Sequence, residues 1–126
     1  MKTVIQTPKA PAPIGPYNQA ILVDNTLYVS GQIALDPITM ELVNQNIETE
    51  TTQVMKNLSE VLKAAGMDFA NVVKTTIFLY DMGDFADVNK VYGSYFDHKV
   101  APARETVQVA ALPKNVRVEI SVIAIR

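Results

Sequence analysis

A one-sided apolar stripe between residues 47 and 65 most constrains the fold of this chain. Its members, spaced at i, i+4, i+7, i+8 and i+11, are Val54, Leu58, Val61, Leu62 and Ala65. This spacing is the helical period, and Gly66 predicts the helix end. A helix with one apolar face has to bury that face, so the segment predicts a helix packed on a second layer.

The remaining segments predict that this second layer is a sheet. β-branched and apolar runs predict strands at residues 17–23, 27–34, 72–80, 104–110 and 117–125, and residues 3–6 predict a short edge strand. The dipeptide Asp24-Asn25 is typical of the tight turn of a β-hairpin. Asp84 predicts the N-cap of a second helix over residues 84–98. The order predicts one α+β domain over residues 1–126, with two helices on one face of the sheet.

Composition and charge exclude several classes of function. Lys and Arg total 11 against 13 Asp and Glu, a net charge of −2, which argues against nucleic acid as a partner. The absence of cysteine excludes a disulfide framework, a thiolate metal site and a cysteine nucleophile. His98 is the single histidine, so we expect no histidine metal site. No secretory signal or membrane-length apolar run occurs, which predicts a cytoplasmic protein without a membrane partner.

Three short segments have side chains or backbone suited to a binding site. Residues 14–17, Ile-Gly-Pro-Tyr, form a rigid turn that delivers Tyr17, whose ordinary alternative role is packing. Gly31 interrupts a strand and predicts either close approach of a ligand or a bulge. Arg104 offers a fork that fits a carboxylate, and the alternative is an ion pair with Glu119 or Glu105.

Glu119 lies inside an apolar strand, Arg-Val-Glu-Ile, where a carboxylate needs a partner or acquires a raised pKa. A raised pKa suits general-base work on water, and a structural salt bridge is the alternative. For His98, near the predicted helix end, we expect a surface or capping role.

Strand alternation predicts a polar sheet face directed away from the helices. The side chains assigned to this face are Ser30, Gln32, Arg104, Thr106, Gln108, Glu119 and Ser121. An enzyme of the kind considered below requires two of them, Arg104 and Glu119, on one side of a cleft. A fully solvated face is usually rich in Lys and Glu. We therefore expect this face to be covered by copies of the same chain.

In order and spacing, the motifs of residues 12–124 resemble the RidA (YjgF-type) family of imine deaminases. The residues that carry the resemblance are Ala12-Pro13-Ile14-Gly15-Pro16-Tyr17, Val29-Ser30-Gly31-Gln32-Ile33, Val73-Lys74-Thr75-Thr76-Ile77-Phe78, Asp84-Phe85-Ala86-Asp87-Val88-Asn89, Pro102-Ala103-Arg104, Leu112-Pro113-Lys114 and Val118-Glu119-Ile120. The resemblance implies a chorismate-mutase-like (bacillus type) fold with a mixed β-sheet. It also implies a homotrimer with a central β-barrel and active sites between subunits.

The resemblance implies hydrolysis of reactive 2-imino and enamine acids, such as 2-iminobutanoate and 2-iminopropanoate, to 2-keto acids and ammonia. This activity belongs to amino-acid metabolism, including isoleucine biosynthesis, and needs no cofactor. By position, Arg104 would hold the substrate carboxylate and Glu119 the attacking water. The implied catalytic residues are Arg104, Glu119 and Tyr17, and the implied substrate-binding residues are Ser30, Gly31, Phe85, Asn89 and Thr106.

The chain departs from the family pattern at two positions beside the arginine. Thr106 stands where many members have Cys, so a mechanism with a thiol nucleophile fails here, although a hydroxyl can still donate to a carboxylate. Glu105 stands where a small hydroxyl residue is common, and strand alternation predicts that it points away from Arg104. Two other functions compete with the enzyme: a 2-keto-acid-binding regulator of amino-acid metabolism, and a ribonuclease or translation inhibitor.

Overall fold

The computed structural model describes residues 1–126 and contains six strands and two α-helices. The strands form one mixed sheet, and the helices form a second layer packed on it. The elements are β1 Lys2–Ile5, β2 Ala20–Val23, β3 Thr26–Gln32, α1 Ile47–Ala64, β4 Val72–Leu79, α2 Phe85–Gly93, β5 Ala103–Gln108 and β6 Val118–Ile125. The sheet order is β1-β2-β3-β6-β4-β5. All neighbours are antiparallel except β4 and β5, which are parallel. The predicted α+β fold with a mixed sheet and two helices is confirmed.

Helix α1 forms where the apolar stripe predicts it. The Asn46 side chain accepts a hydrogen bond from Thr49 N at 2.8 Å and caps the first turn. Gly66, at φ +72°, adopts the left-handed conformation that follows the helix. The stripe is buried against the sheet, and burial of each of its valine and leucine side chains stabilises the fold by about 1.5–3 kcal/mol. Neither helix combines the length and apolarity that crossing a membrane requires.

Helix α2 is shorter than the sequence predicts, because it starts at Phe85 and ends at Gly93 instead of spanning residues 84–98. Asp84 makes no capping hydrogen bond. Asp81 instead accepts from Gly83 N at 2.8 Å and opens a short 3-10 turn before the helix. His98 Nε2 lies 3.2 Å from Gly93 O at the helix end, so the capping role expected of His98 is confirmed.

The two faces of the sheet differ from the prediction at β5. Arg104 and Thr106 stand opposite Thr75 and Ile77 of β4, which are buried beneath the helices. Glu119 alternates with the buried Val118 and Ile120 and therefore lies on the outer face, away from the helices. The prediction that Arg104, Thr106 and Glu119 share the outer face is wrong, because alternation gives relative faces within a strand and the pairing with β4 decides the absolute one.

A bulge in β3 corrects a second facing prediction. The register between β3 and β6 shifts between Val29 and Gln32. Gln32 therefore turns into the protein and is 5% exposed, while Ser30 stays at the outer side. The prediction that Ser30 and Gln32 share a face is wrong for this reason.

Candidate active site

The first part of the site is a cleft of about 330 Å³ beside β3 and β6, which we call the Glu119 cleft. Its lining residues are Pro11, Ala12, Ile14, Tyr17, Gln19, Ser30, Gly31, Gln32, Ile33, Leu35, Pro113 and Glu119. The structure thus brings together four of the predicted site residues, Tyr17, Ser30, Gly31 and Glu119. The rest of the lining is largely apolar, which suits a small organic ligand.

Gly31 is required because the Glu119 side chain occupies the space where a Cβ would stand. A methyl group at Gly31 would lie 2.8 Å from Glu119 Cδ, closer than real atoms approach. Both interpretations of this glycine therefore hold, since it lies at the β3 bulge and permits a close approach. The group that approaches is the Glu119 carboxylate itself.

Glu119 has no hydrogen-bond donor and no cationic partner in the structure. Within one chain, Glu119 therefore forms no salt bridge. Burial raises the pKa of the Glu119 carboxyl above its ordinary value. A half-buried carboxylate of raised pKa that faces a cleft is a suitable acceptor for a proton from water.

Tyr17 and Ser30 supply two hydroxyl groups at this cleft. Tyr17 is about half exposed, and its hydroxyl accepts only a long hydrogen bond of 3.5 Å from Ile14 N. That hydroxyl remains able to donate to a ligand. Ser30 Oγ instead donates to Asn18 O at 2.6 Å, which ties the last part of β3 to the segment just before β2.

The second part of the site is an open cleft between α2 and β5, which we call the Arg104 cleft. Its volume is about 780 Å³, and its lining includes Asn89 and Arg104. Arg104 Nη1 donates to Asn89 Oδ1 at 2.6 Å. The guanidinium carbon also lies 5.1 Å from the centre of the Tyr92 ring and 5.6 Å from that of Phe85. These contacts fix the guanidinium while its other N–H groups keep no protein partner.

Within one chain, Arg104 pairs with neither Glu119 nor Glu105. Glu105 points to the outer face, where it bonds Lys74 Nζ at 2.8 Å and Thr76 Oγ1 at 2.6 Å. The hydrogen bonds from Lys74 and then Thr76 lower the pKa of Glu105. The prediction that Glu105 points away from Arg104 is confirmed.

Thr106, two residues after Arg104, has a buried hydroxyl without any hydrogen-bond partner. An unsatisfied buried hydroxyl costs about 1–3 kcal/mol, and Thr106 lies two residues along β5 on the same face as Arg104. Four predicted site residues therefore gather on this side, namely Phe85, Asn89, Arg104 and Thr106.

The two clefts lie on opposite faces of the sheet, so one chain does not place Arg104 and Glu119 around one ligand. Sequence reasoning missed Tyr92 as a support of Arg104, because its apolar spacing indicated only a buried helix face. It also missed Gln19, which lines the Glu119 cleft and is 2% exposed. No group of three or more His, Cys, Asp or Glu side chains is arranged to hold a metal ion.

The chain is similar to known proteins over nearly its full length. The family model described as "Endoribonuclease L-PSP" matches residues 7–126. A RutC family protein of Synechocystis is 56% identical over 123 residues, which cover 97% of this chain and 95% of that protein. A mouse protein named 2-iminobutanoate/2-iminopropanoate deaminase is 55% identical over 126 residues, which cover 100% of this chain and 93% of the mouse protein.

A solved structure extends the agreement to three dimensions. A protein of the Rid family from Yersinia pestis superimposes with a TM-score of 0.96 at 48% identity, and the match covers 100% of both chains. Sequence identity of this level over whole chains indicates membership of the same family and not only a shared fold. The chain therefore belongs to the endoribonuclease L-PSP family, that is, the RidA (YjgF-type) family that its motifs resemble.

Proposed function

We propose that the protein hydrolyses short 2-imino acids and their enamine tautomers to 2-keto acids and ammonia. The observation that carries the proposal is that the chain contains both a fixed guanidinium without an anionic partner, at Arg104, and a carboxylate without a cationic partner, at Glu119. Full-length relatives at 55% identity that are named 2-iminobutanoate/2-iminopropanoate deaminase support the same reaction. From these substrates we propose a role in amino-acid metabolism, including isoleucine biosynthesis, and the cytoplasm as the location of the protein.

The proposed active unit is a homotrimer in which Arg104 of one subunit and Glu119 of the next enclose one substrate. Two copies are needed because the two residues lie on opposite faces of the sheet. The outer face also exposes apolar side chains: Tyr28, Val107 and Ile125 are 50%, 40% and 45% exposed. Such a face favours burial against copies of the chain in a central β-barrel.

In this site Arg104 binds the substrate carboxylate through two parallel N–H···O bonds. Asn89, Tyr92 and Phe85 hold the guanidinium in place before the substrate arrives. The Thr106 hydroxyl donates to the same carboxylate and thereby acquires the partner that it lacks. Fixing the carboxylate fixes the adjacent C=N carbon, which is an orientation effect.

Glu119 then acts on the attacking water. As the water oxygen bonds to the C=N carbon, Glu119 accepts one water proton and the C=N electron pair moves to the nitrogen. The proton on Glu119 next passes to that nitrogen. Starting from the protonated imine, this transfer gives an –NH3+ group, so the C–N bond breaks with its electron pair on the departing ammonia. Glu119 takes the proton of the remaining hydroxyl as the C=O bond forms, and that proton then leaves with the ammonia as ammonium. The Tyr17 hydroxyl, exposed at the same cleft, donates to the hydroxyl oxygen of this intermediate.

A trapping assay tests the proposal. An amino-acid oxidase generates the imine in the presence of semicarbazide, and the protein competes with the trap. We expect added protein to reduce semicarbazone formation, Arg104→Ala to abolish the effect, and Lys99→Ala, an exposed cation outside both clefts, to retain it. Unchanged semicarbazone with wild-type protein contradicts the proposal. Saturable 2-keto-acid binding without turnover would instead identify a regulator.

The description of the family model favours RNA cleavage as a second candidate. The net charge of −2 opposes it, since RNA binding rests largely on cationic surface. Incubation of a mixed-sequence RNA with the protein distinguishes the two functions. Intact RNA under conditions in which the imine is hydrolysed excludes the ribonuclease.

A further inference from the structure

The wall of the Glu119 cleft is a segment that no strand holds in place. Residues 7–17, which we call the strap, contain Pro8, Pro11, Pro13 and Pro16 and pair with no strand. Proline has no N–H group for a ladder hydrogen bond. The strap nevertheless provides four of the cleft-lining residues: Pro11, Ala12, Ile14 and Tyr17. Something other than sheet pairing has to fix it.

The buried side chain of Gln19 makes four hydrogen bonds to the strap. Its Oε1 accepts from Thr7 N at 2.7 Å, and its Nε2 lies 3.0 Å from Thr7 O. The same Nε2 lies 3.1 Å from Ala10 O and 2.8 Å from Pro11 O. A single amide thus satisfies backbone groups at the start and the middle of the strap.

Gln19 is also tied to the reacting side of the cleft. Its own carbonyl accepts from Ser30 N at 2.9 Å, one residue before Gly31, over which the Glu119 carboxylate lies. The neighbouring Asn18 carbonyl accepts from Ser30 Oγ at 2.6 Å. Gln19 is therefore hydrogen-bonded to the strap through its side chain and to the β3 bulge through its backbone carbonyl.

We propose that Gln19 is a positioning residue that fixes the strap, and with it Tyr17 and the apolar wall of Pro11, Ala12 and Ile14, at a set distance from Glu119. This inference rests on the proposed function for its catalytic consequence. Gln19 acts through the strap and touches no reacting atom in this scheme. Displacement of a positioned group by about 1 Å lowers turnover by about 100-fold.

The same arrangement makes the strap a determinant of substrate size. The apolar wall and the side chains of Ile33 and Leu35 line the same cleft, so they together bound the space that the side chain of the imino acid would occupy. A fixed strap limits that space. Release of the strap therefore favours bulky imino acids relative to the smallest ones.

Two variants and one control test the role of Gln19. Gln19→Met keeps the length of the side chain and removes all four hydrogen bonds. Gln19→Asn keeps an amide that is too short to reach the three carbonyls, and it covers the case in which Gln19→Met fails to fold. Gln6→Met is the matched control, because Gln6 is exposed and makes no side-chain hydrogen bond. Circular dichroism and sedimentation establish that each variant is folded and assembled.

For Gln19→Met and Gln19→Asn we expect kcat to fall about 10- to 100-fold, with a smaller change in the affinity for a 2-keto acid held by Arg104. We also expect the ratio of kcat/KM for a bulky imino acid to that for 2-iminopropanoate to rise. Trypsin should cleave after Lys9 in both variants, because the strap is no longer held, and mass spectrometry of the denatured digest detects the cut. Gln6→Met should behave as wild type in all three measurements.

Wild-type kcat, an unchanged substrate ratio and resistance at Lys9 in a folded Gln19 variant overturn the inference. Loss of thermal stability alone, with normal kcat well below the melting temperature, overturns it as well. A wild-type protein without turnover contradicts the proposed function instead. In that case cleavage at Lys9 still decides whether Gln19 holds the strap.

Discussion

At the scale of single residues, Arg104 and Glu119 each lack the partner that a charged group ordinarily has. Arg104 is held by an amide and two aromatic rings, with no carboxylate in reach. Glu119 is half-buried with no donor at all. Desolvated groups without partners cost free energy, and such costs are concentrated at functional sites. In the proposed assembly, the imino acid would provide a partner for both, with its carboxylate at Arg104 and the attacking water at Glu119.

The raised pKa of Glu119 predicts a pH-dependent stability difference. The folded protein binds this proton more tightly than the unfolded chain, so the free energy of unfolding falls as pH rises from the ordinary carboxyl range through the raised pKa. We expect Glu119→Gln to raise the free energy of unfolding at neutral pH, and the difference to vanish below about pH 4. Urea unfolding across this range measures it, with the exposed Glu41→Gln as the control.

A neutral or destabilising effect of Glu119→Gln at neutral pH would contradict the burial of an unpaired charge. It would indicate that Glu119 has a partner in the assembled protein.

Gly31 predicts a loss of activity from one added methyl group. A Cβ at this position collides with the Glu119 side chain, so Gly31→Ala displaces the carboxylate or the bulge. We expect kcat to fall at least about 10-fold and the free energy of unfolding to fall by about 1–3 kcal/mol. Steady-state kinetics and urea unfolding measure the two effects. Full activity in Gly31→Ala would show that the position of the Glu119 carboxylate does not limit turnover.

At the scale of elements, α1 holds the strand that carries Glu119. Glu50 of α1 is fully buried and bonds Arg117 Nε and Arg117 N, each at 2.8 Å, just before β6 begins. Asn57, two turns further along the same face of the helix, donates to Ile33 O and Leu35 O, each at 3.0 Å. The helix thus supports the floor of the Glu119 cleft and the entry to β6 from the side opposite to the cleft.

The Glu50 network predicts a large stability effect from an isosteric change. The two Glu50 carboxylate oxygens accept hydrogen bonds from Arg117 N and the Arg117 guanidinium. Glu50→Gln removes the negative charge and replaces one of these acceptor oxygens with an NH2 group. We expect the free energy of unfolding to fall by about 2–3 kcal/mol, since hydrogen bonds to charged groups are worth this much. Glu48→Gln, an exposed change in the same turn, should alter it by less than about 0.5 kcal/mol. Equal effects of the two variants would contradict the network.

Some elements follow from sequence periodicity and others do not. Helix α1 and the strands are predictable because their burial patterns have a period of 3.6 or 2. The end of α2 at Gly93 is not, because Tyr95 and Phe96 keep packing on Phe69 after the helix has ended. The ion pair between Glu50 and Arg117 joins residues 67 apart, so no local pattern indicates it.

The residue types of the candidate site are predictable from motifs, but its division into two clefts is not. The face of Arg104 depends on the parallel pairing of β5 with β4, a long-range fact that the sequence of β5 does not contain. The role of Gln19 also escaped prediction, because four hydrogen bonds to an irregular segment leave no periodic pattern.

At the scale of the whole molecule, the arrangement of the two clefts makes assembly part of the chemistry. One chain presents Arg104 on the helix side of the sheet and Glu119 on the outer side. In the proposed trimer, a complete site is therefore formed by two subunits, and each interface of the ring forms one such site. The exposed apolar residues of the outer face, Tyr28 and Ile125 among them, are the surface that the proposed assembly buries.

The most direct test of this account is complementation between two inactive variants. Arg104→Ala and Glu119→Gln are each assayed alone for imine hydrolysis, then unfolded together, refolded as mixed oligomers and assayed again. Each variant alone should be nearly inactive. Random mixing in equal amounts should restore about a quarter of wild-type activity, because about one interface in four then joins an intact Arg104 to an intact Glu119. Mixed oligomers, verified by native mass spectrometry, that remain as inactive as the separate variants would contradict a site shared between subunits.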